Sequence, residues 1–150
     1  MRVAGVGVSA GAVLFVAAPA SGVLELGRRI QNAKTGWCME GMADGHAYAF
    51  TCRAEKAAQL WTLPPGESGF LVRNVVTSRC LDTDIGGTLY ANRCADGSAY
   101  QRWNWIEASG SWALLRDTGS GMCLTGGGNK VVNAGVCDAL DPYQWFALRN

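Results

Sequence analysis

One motif recurs three times in this chain, and self-similarity at a fixed period constrains architecture before any residue is given a role. The clearest copy is Cys80 to Trp103, CLDTDIGGTLYANRCADGSAYQRW: a Cys, an acid two positions on, a Gly-Gly turn, a second Cys, then Gln-x-Trp. A looser copy precedes it, with Cys38, Glu40, Gly45, Cys52, Gln59 and Trp61. A third follows, with Cys123, Thr125, Gly126-Gly127-Gly128, Cys137, Gln144 and Trp145. The first Cys repeats with periods of 42 and 43 residues, and the second always lies 14 residues after the first. Asn32, Asn74 or Asp117 stands six residues before the first Cys, and Thr35, Thr77 or Ser120 three before it. Three homologous units follow, at about residues 27–66, 67–108 and 109–150.

Each unit is a set of short alternating runs broken by Gly, Asn, Asp and Ser. Leu71 to Val75, Thr88 to Ala91 and Trp103 to Ile106 read as strands. Gly86-Gly87, Asp96-Gly97 and Gly126-Gly127-Gly128 read as turns. No helical periodicity is evident after residue 27, so the chain is all-β. Three units suit a closed three-fold barrel better than a propeller, which usually needs more blades. Trp61, Trp103 and Trp145 close their units, and a three-fold fold brings them near its axis as core residues. The neighbouring Gln amides are expected to satisfy backbone groups there.

Residues 1–20 have the layout of a secretory signal: Arg2, an apolar run, then Ala18-Pro19-Ala20 before the cut. The run is too short and too interrupted for a bilayer span. The expected mature chain is residues 21–150, secreted and extracellular, with no membrane insertion. Of 13 basic residues one lies in this leader, leaving 12 against 12 acidic side chains. That balance argues against nucleic acid, whose backbone is met by clustered Lys and Arg.

Six cysteines in an exported chain point to disulfides. If the units are equivalent, each closes its own: Cys38–Cys52, Cys80–Cys94 and Cys123–Cys137. With no CxxC pair and His46 as the only histidine, no metal site is expected. No cofactor is expected either. His46 reads as a solvated turn residue. With every Cys assigned to a bridge and no carboxylate pair marked out by position, no catalytic residue is assigned and the chain reads as a non-enzyme.

The triple Cys-Leu-Asp, Gly turn, Cys, Gln-x-Trp pattern resembles the ricin B-chain type β-trefoil lectins over roughly residues 27–148. The middle unit is similar to small secreted actinomycete trefoil lectins of the actinohivin type. Leu81-Asp82-Thr83-Asp84, Leu89-Tyr90-Ala91, Cys94-Ala95-Asp96-Gly97 and Tyr100-Gln101-Arg102-Trp103 carry that likeness. The resemblance implies a β-trefoil that binds glycans or polysaccharide, through a galactoside, mannoside or polysaccharide unit.

A sugar site needs a carboxylate or amide for adjacent hydroxyls and an aromatic surface under the ring. The middle unit offers Asp82, Tyr90, Asn92, Asp96, Tyr100 and Gln101. The resemblance assigns the binding positions to Asp82, Tyr90 and Tyr100. Asp96 stands near the family's Asn, in a loop one residue longer. A weaker second site is expected in the first unit around Glu40, Tyr48, Phe50 and Gln59, where Ala58 replaces Tyr100. The third unit has Thr125 for the acid and Asn133 for the tyrosine, keeps Tyr143, and is expected to bind no sugar.

Two alternatives stay open. One is a protein-binding trefoil, either a protease inhibitor or the cell-binding subunit of a secreted toxin. Pro64-Pro65-Gly66-Glu67-Ser68 is its candidate loop, and Trp37, Trp105 and Trp112 are its candidate aromatic patch. The other is a decayed trefoil without ligand.

Overall fold

The computed structural model describes residues 26–150. The expected leader and its cut after Ala20 lie outside the described residues. The first unit contributes β1 (Arg29–Asn32), β2 (Trp37–Gly41), β3 (Ala47–Thr51) and β4 (Trp61–Thr62). A short hairpin, β5 (Pro65–Gly66) and β6 (Gly69–Phe70), leads into the second unit. That unit has β7 (Arg73–Asn74), β8 (Arg79–Thr83), β9 (Leu89–Arg93) and β10 (Trp103–Ser109). The third has β11 (Trp112–Asp117), β12 (Cys123–Gly126), β13 (Val132–Gly135) and β14 (Trp145–Arg149).

The expected strand from Leu71 to Val75 is interrupted. Pro64 and Pro65 have no N–H to give, so the ladder between residues 61–66 and 69–74 is broken in the middle. Leu71 N–H donates to the Pro64 carbonyl across the break. The Pro64-Pro65 stretch is thus one limb of a barrel hairpin, with Pro65 paired to Phe70, and not a protruding loop.

The first and last strands of the units form the barrel. Pairing runs from β1 to β14, β11, β10 and then the hairpin limbs. The Arg28–Trp61 bridge returns the ring to its start. Closing the ring leaves no free barrel edge, which is how such sheets avoid edge-to-edge association. In equivalent register, Asn32 faces Phe146, Asn74 faces Trp61 and Asp117 faces Trp103. The middle strands of each unit form the hairpins β2–β3, β8–β9 and β12–β13. All three expected disulfides are present, and each ties the start of one hairpin strand to the residues just past its partner.

The core is built in triads, one residue from each unit. Ile30, Val72 and Leu115 form one; Met39, Leu81 and Leu124 another; Ala47, Leu89 and Val132 a third. The fourth is Trp61, Trp103 and Phe146. Trp145 is not in it, which corrects the expectation for the third unit. That unit lacks the spacer between Gln and Trp, so the residue in phase is Phe146, 2% exposed. Trp145 shifts to the position in phase with Leu60 and Arg102, where it is half-buried, and its indole N–H donates to the Ala139 carbonyl. The two core indoles donate instead to Met39 and Leu81, which satisfies their one polar group.

The three hairpins are joined in a cycle. The carbonyl of Gly45 in the first turn accepts from Ala91 N–H of the second unit. Gly87 does the same for Ala134 of the third, and Lys130 for Ala49 of the first. Each turn residue has positive φ: 86° at Gly45, 85° at Gly87 and 70° at Lys130. Glycine adopts this backbone at no steric cost, whereas a lysine is strained there.

Candidate functional site

The carboxylate of the middle unit comes from the pleat of β8. Leu81 points inward with no exposure, so Asp82 points outward and is half-buried. Tyr90 stands directly opposite Asp82 on β9, and Asn92 opposite Cys80. Asp82 Oδ2 accepts from Asn92 Nδ2 at 3.0 Å and from Gln101 Nε2 at 3.0 Å. Its Oδ1 has no partner among the described residues and is not enclosed. One oxygen is therefore fixed by two amides while the other is left to accept from outside.

Gln101 reaches this position on a one-turn 3₁₀ helix, Ala99–Gln101. Its Oε1 accepts from Ala95 N–H at 2.8 Å, and its Nε2 also donates to the Arg93 carbonyl at 3.0 Å. Those two groups flank Cys94, so the amide clips both sides of the disulfide. With 2% exposure Gln101 cannot face a ligand; it orients Asp82. The same clip recurs at Gln59, around Cys52, and at Gln144, around Cys137.

Tyr90 is half-buried, and its hydroxyl donates to Asp84 Oδ2 at 3.4 Å. Asp84 Oδ1 caps the turn, accepting from the backbone N–H groups of Gly86 and Thr88. These bonds, the one from Thr88 foremost, hold the Asp84 carboxyl below its ordinary value of 3.8. His46, from the first unit's turn, lies 6.2 Å ring to ring from Tyr90. It is exposed, as expected of a turn residue, but the clasp of Gly45 on Ala91 brings it beside the middle site. Nothing in the middle repeat's own sequence announces that neighbour.

Asp96 and Tyr100 are not tied to the Asp82 cluster. Asp96 is exposed, and its carbonyl and carboxylate accept from the buried Arg102 guanidinium. Tyr100 is 36% exposed and lies against Gly119 of the third unit.

In the first unit Glu40 takes the place of Asp82 but not its role. It is 2% exposed. Its Oε2 accepts from Gln59 Nε2 at 3.2 Å and its Oε1 pairs with Lys56 Nζ at 2.7 Å. Phe50 stands where Asn92 would supply a donor, and Lys56 supplies it instead. The longer acid is thus consumed by the loop above it, with no oxygen left for a ligand. Tyr48 donates to Asp44 at 3.1 Å, and that bond raises its phenol above the ordinary 10.0. In the third unit Thr125 turns back to the Cys123 carbonyl, so Gln144 has no acid to orient.

The three tryptophans outside the motif do not form one patch. Trp37 lines a cavity of the first unit. Trp105 and Trp112 line a different one with Phe146 and Leu148. Arg149 covers Trp112 at 4.6 Å, and Phe70 packs 6.0 Å from Trp105.

Residues 27–146 match the family described as the ricin-type beta-trefoil lectin domain. No curated protein sequence matches the chain. A cytolethal distending toxin of Haemophilus ducreyi is similar in structure, with a TM-score of 0.71 and 17% identity over 88% of this chain and 87% of that one. SeviL bound to asialo-GM1 saccharide has a TM-score of 0.68 and 14% identity, over 82% and 96% of the two chains. Hemolytic lectin CEL-III has a TM-score of 0.66 and 22% identity, over 81% of this chain but 29% of that one. At these identities the likeness is one of fold. No helix among the described residues is long and apolar enough to cross a membrane. The family match covers all three units up to the start of the last barrel strand, and it is a carbohydrate-binding, non-catalytic domain type: this chain belongs to the ricin-type β-trefoil lectin family.

Proposed function

We propose that this protein is a secreted lectin that holds a sugar, without altering it, mainly at the middle repeat around Asp82. The observation that carries this reading is the half-satisfied carboxylate. Asp82 Oδ2 is fixed by Asn92 and Gln101, while Oδ1 is free to take a sugar hydroxyl. Preorganising an acceptor in this way lowers the ordering cost of binding. Tyr90, held by Asp84, gives the apolar face of a sugar ring a surface to lie on. The actinohivin-like run from Leu81 to Trp103 supports a small secreted sugar-binding trefoil. A galactoside or mannoside unit of a glycan or polysaccharide fits that chemistry. The solved SeviL complex, with its asialo-GM1 saccharide, is an instance of the fold holding a glycan. A single such site per chain means weak monovalent affinity, without the gain of linked sites.

A glycan array probed with the secreted, oxidised protein and with Asp82→Ala tests the reading. The expected result is one glycan class bound by the parent and lost by the variant, with both melting alike. Mass spectrometry of the secreted form is expected to find a chain beginning at Ser21. If neither protein binds any glycan, the middle repeat is structural. The search then turns to a protein partner for the cavity of Trp105 and Trp112.

A further inference from the structure

The first unit carries a cavity of about 430 Å³ whose lining includes Trp37, Phe50, Arg53, Lys56 and Lys130. Its charge is unlike that of the middle site. Lys56 is paired with Glu40 beneath it. Arg53 and Lys130 have no carboxylate partner among the described residues. No carboxylate among the described residues is left open to the cavity, because Glu40 is buried with both oxygens engaged; the Thr51 hydroxyl is a neutral group on the lining. A neutral sugar finds no carboxylate here, while an anion finds two unpaired cations.

Lys130 belongs to the third unit and arrives through the clasp on Ala49. The other two clasp residues, Gly45 and Gly87, deliver no side chain. The lysine sits at φ 70°, strained where glycine would be relaxed. Its ammonium reaches 5.6 Å from the Phe50 ring centroid, and Lys56 reaches the same ring at 5.6 Å. The strained turn thus brings a charge to the aromatic wall of a neighbouring unit.

We infer that this cavity binds a saccharide carrying an anionic group, either a hexuronate carboxylate or a sulfate ester. Lys130 and Arg53 hold the charge, and Phe50 with Trp37 lines the side that meets the ring's apolar face. The inference rests on the carbohydrate-binding reading above and adds a second, separately selective site to it.

The test is calorimetric titration of the secreted, oxidised protein with digalacturonate, galactose 6-sulfate and galactose, at low and high salt. The variants are Lys130→Gly, Arg53→Gln and Asp82→Ala. Lys130→Gly restores the residue type of the other two turns, so it is expected to keep the fold. The expected result is acidic-probe binding weakened about tenfold by Lys130→Gly and by Arg53→Gln. That binding also falls with salt, and Asp82→Ala leaves it intact. Galactose binding shows the opposite pattern, lost with Asp82→Ala and kept with Lys130→Gly. The two acidic probes distinguish carboxylate from sulfate. Unchanged acidic-probe affinity in Lys130→Gly overturns the inference. So does inorganic sulfate that competes as well as the sulfated sugar, or an oligonucleotide that binds more tightly than either. If galactose binds through Asp82 and the acidic probes gain nothing, this inference alone fails. If no saccharide binds at all, it falls together with the lectin reading.

Discussion

Gln101 Nε2 stands 3.0 Å from Asp82 Oδ2, and through this contact the frame of the repeat holds the half-satisfied carboxylate of the candidate site. The same amide closes the loop around Cys94, so one side chain serves both the fold and the site. Gln144 makes the fold contacts alone. The two residues therefore separate the roles.

Gln101→Ala leaves the Ala95 N–H and the Arg93 carbonyl unpaired, at a cost of about 1–3 kcal/mol. It also frees Asp82 to turn. Urea denaturation should show the stability loss, and sugar titration an additional loss of affinity in the protein that remains folded. Gln144→Ala should show a similar stability loss and no change in affinity at the middle repeat.

Phe146 and Trp145 trade the roles that their types suggest. Phe146→Ala empties a core slot and should cost about 3–5 kcal/mol. Trp145→Ala removes a half-buried ring and one hydrogen bond, and should cost no more than about half as much. Thermal melts of the two variants decide it; a larger loss at Trp145 would contradict Phe146 as the core residue of the third unit.

That slip shows where sequence reading stops. The period and the Cys spacing survive any loop detail, so the three units, their disulfides and the barrel are legible. Asp82 is legible too, because a strand's pleat puts it opposite the inward Leu81. What is not legible depends on tertiary approach. Residue type points to Trp145, although counting from Cys137 puts Phe146 in phase. Glu40 reads as a weaker Asp82 because nothing in the motif says that Lys56 folds down onto it. The family pattern groups Asp96 and Tyr100 with Asp82, while the contacts seen for them are with Arg102 and with Gly119 of the third unit. His46 and Lys130 come from other units altogether.

Asp117 departs from its counterparts. In the other two units the Asn amide donates to a carbonyl one residue before the Gln, Tyr143 for Asn32 and Ala58 for Asn74. Asp117 has no such donor, and its Oδ2 is buried without a hydrogen-bond partner among the described residues. Its Oδ1 is occupied by Thr83 and Ser120. Asp117→Asn keeps that oxygen and places a donor toward Tyr100, so stability should rise by about 1–2 kcal/mol. A higher urea midpoint at unchanged slope is the expected readout; a lower midpoint would count against the assignment.

Acid should loosen the turn that holds Tyr90. The folded Asp84 carboxyl lies below its ordinary 3.8, mainly through the Thr88 N–H bond. Its contribution is complete above about pH 3.8 and is lost as pH falls from there through the folded value. Melting temperature followed into acid should fall less steeply for Asp84→Asn than for the parent. Equal slopes would show that this carboxylate is uncoupled from folding.

The cyclic clasp of turn on hairpin has a consequence for how such a protein changes. Because Gly45 leans on Ala91, Gly87 on Ala134 and Lys130 on Ala49, each hairpin surface is the shared property of two adjacent units. A repeat copied or exchanged by recombination would bring half of one surface and half of the next. A substitution in one turn is therefore felt first by the hairpin of the neighbouring unit, across the seam, and less by the repeat that carries it.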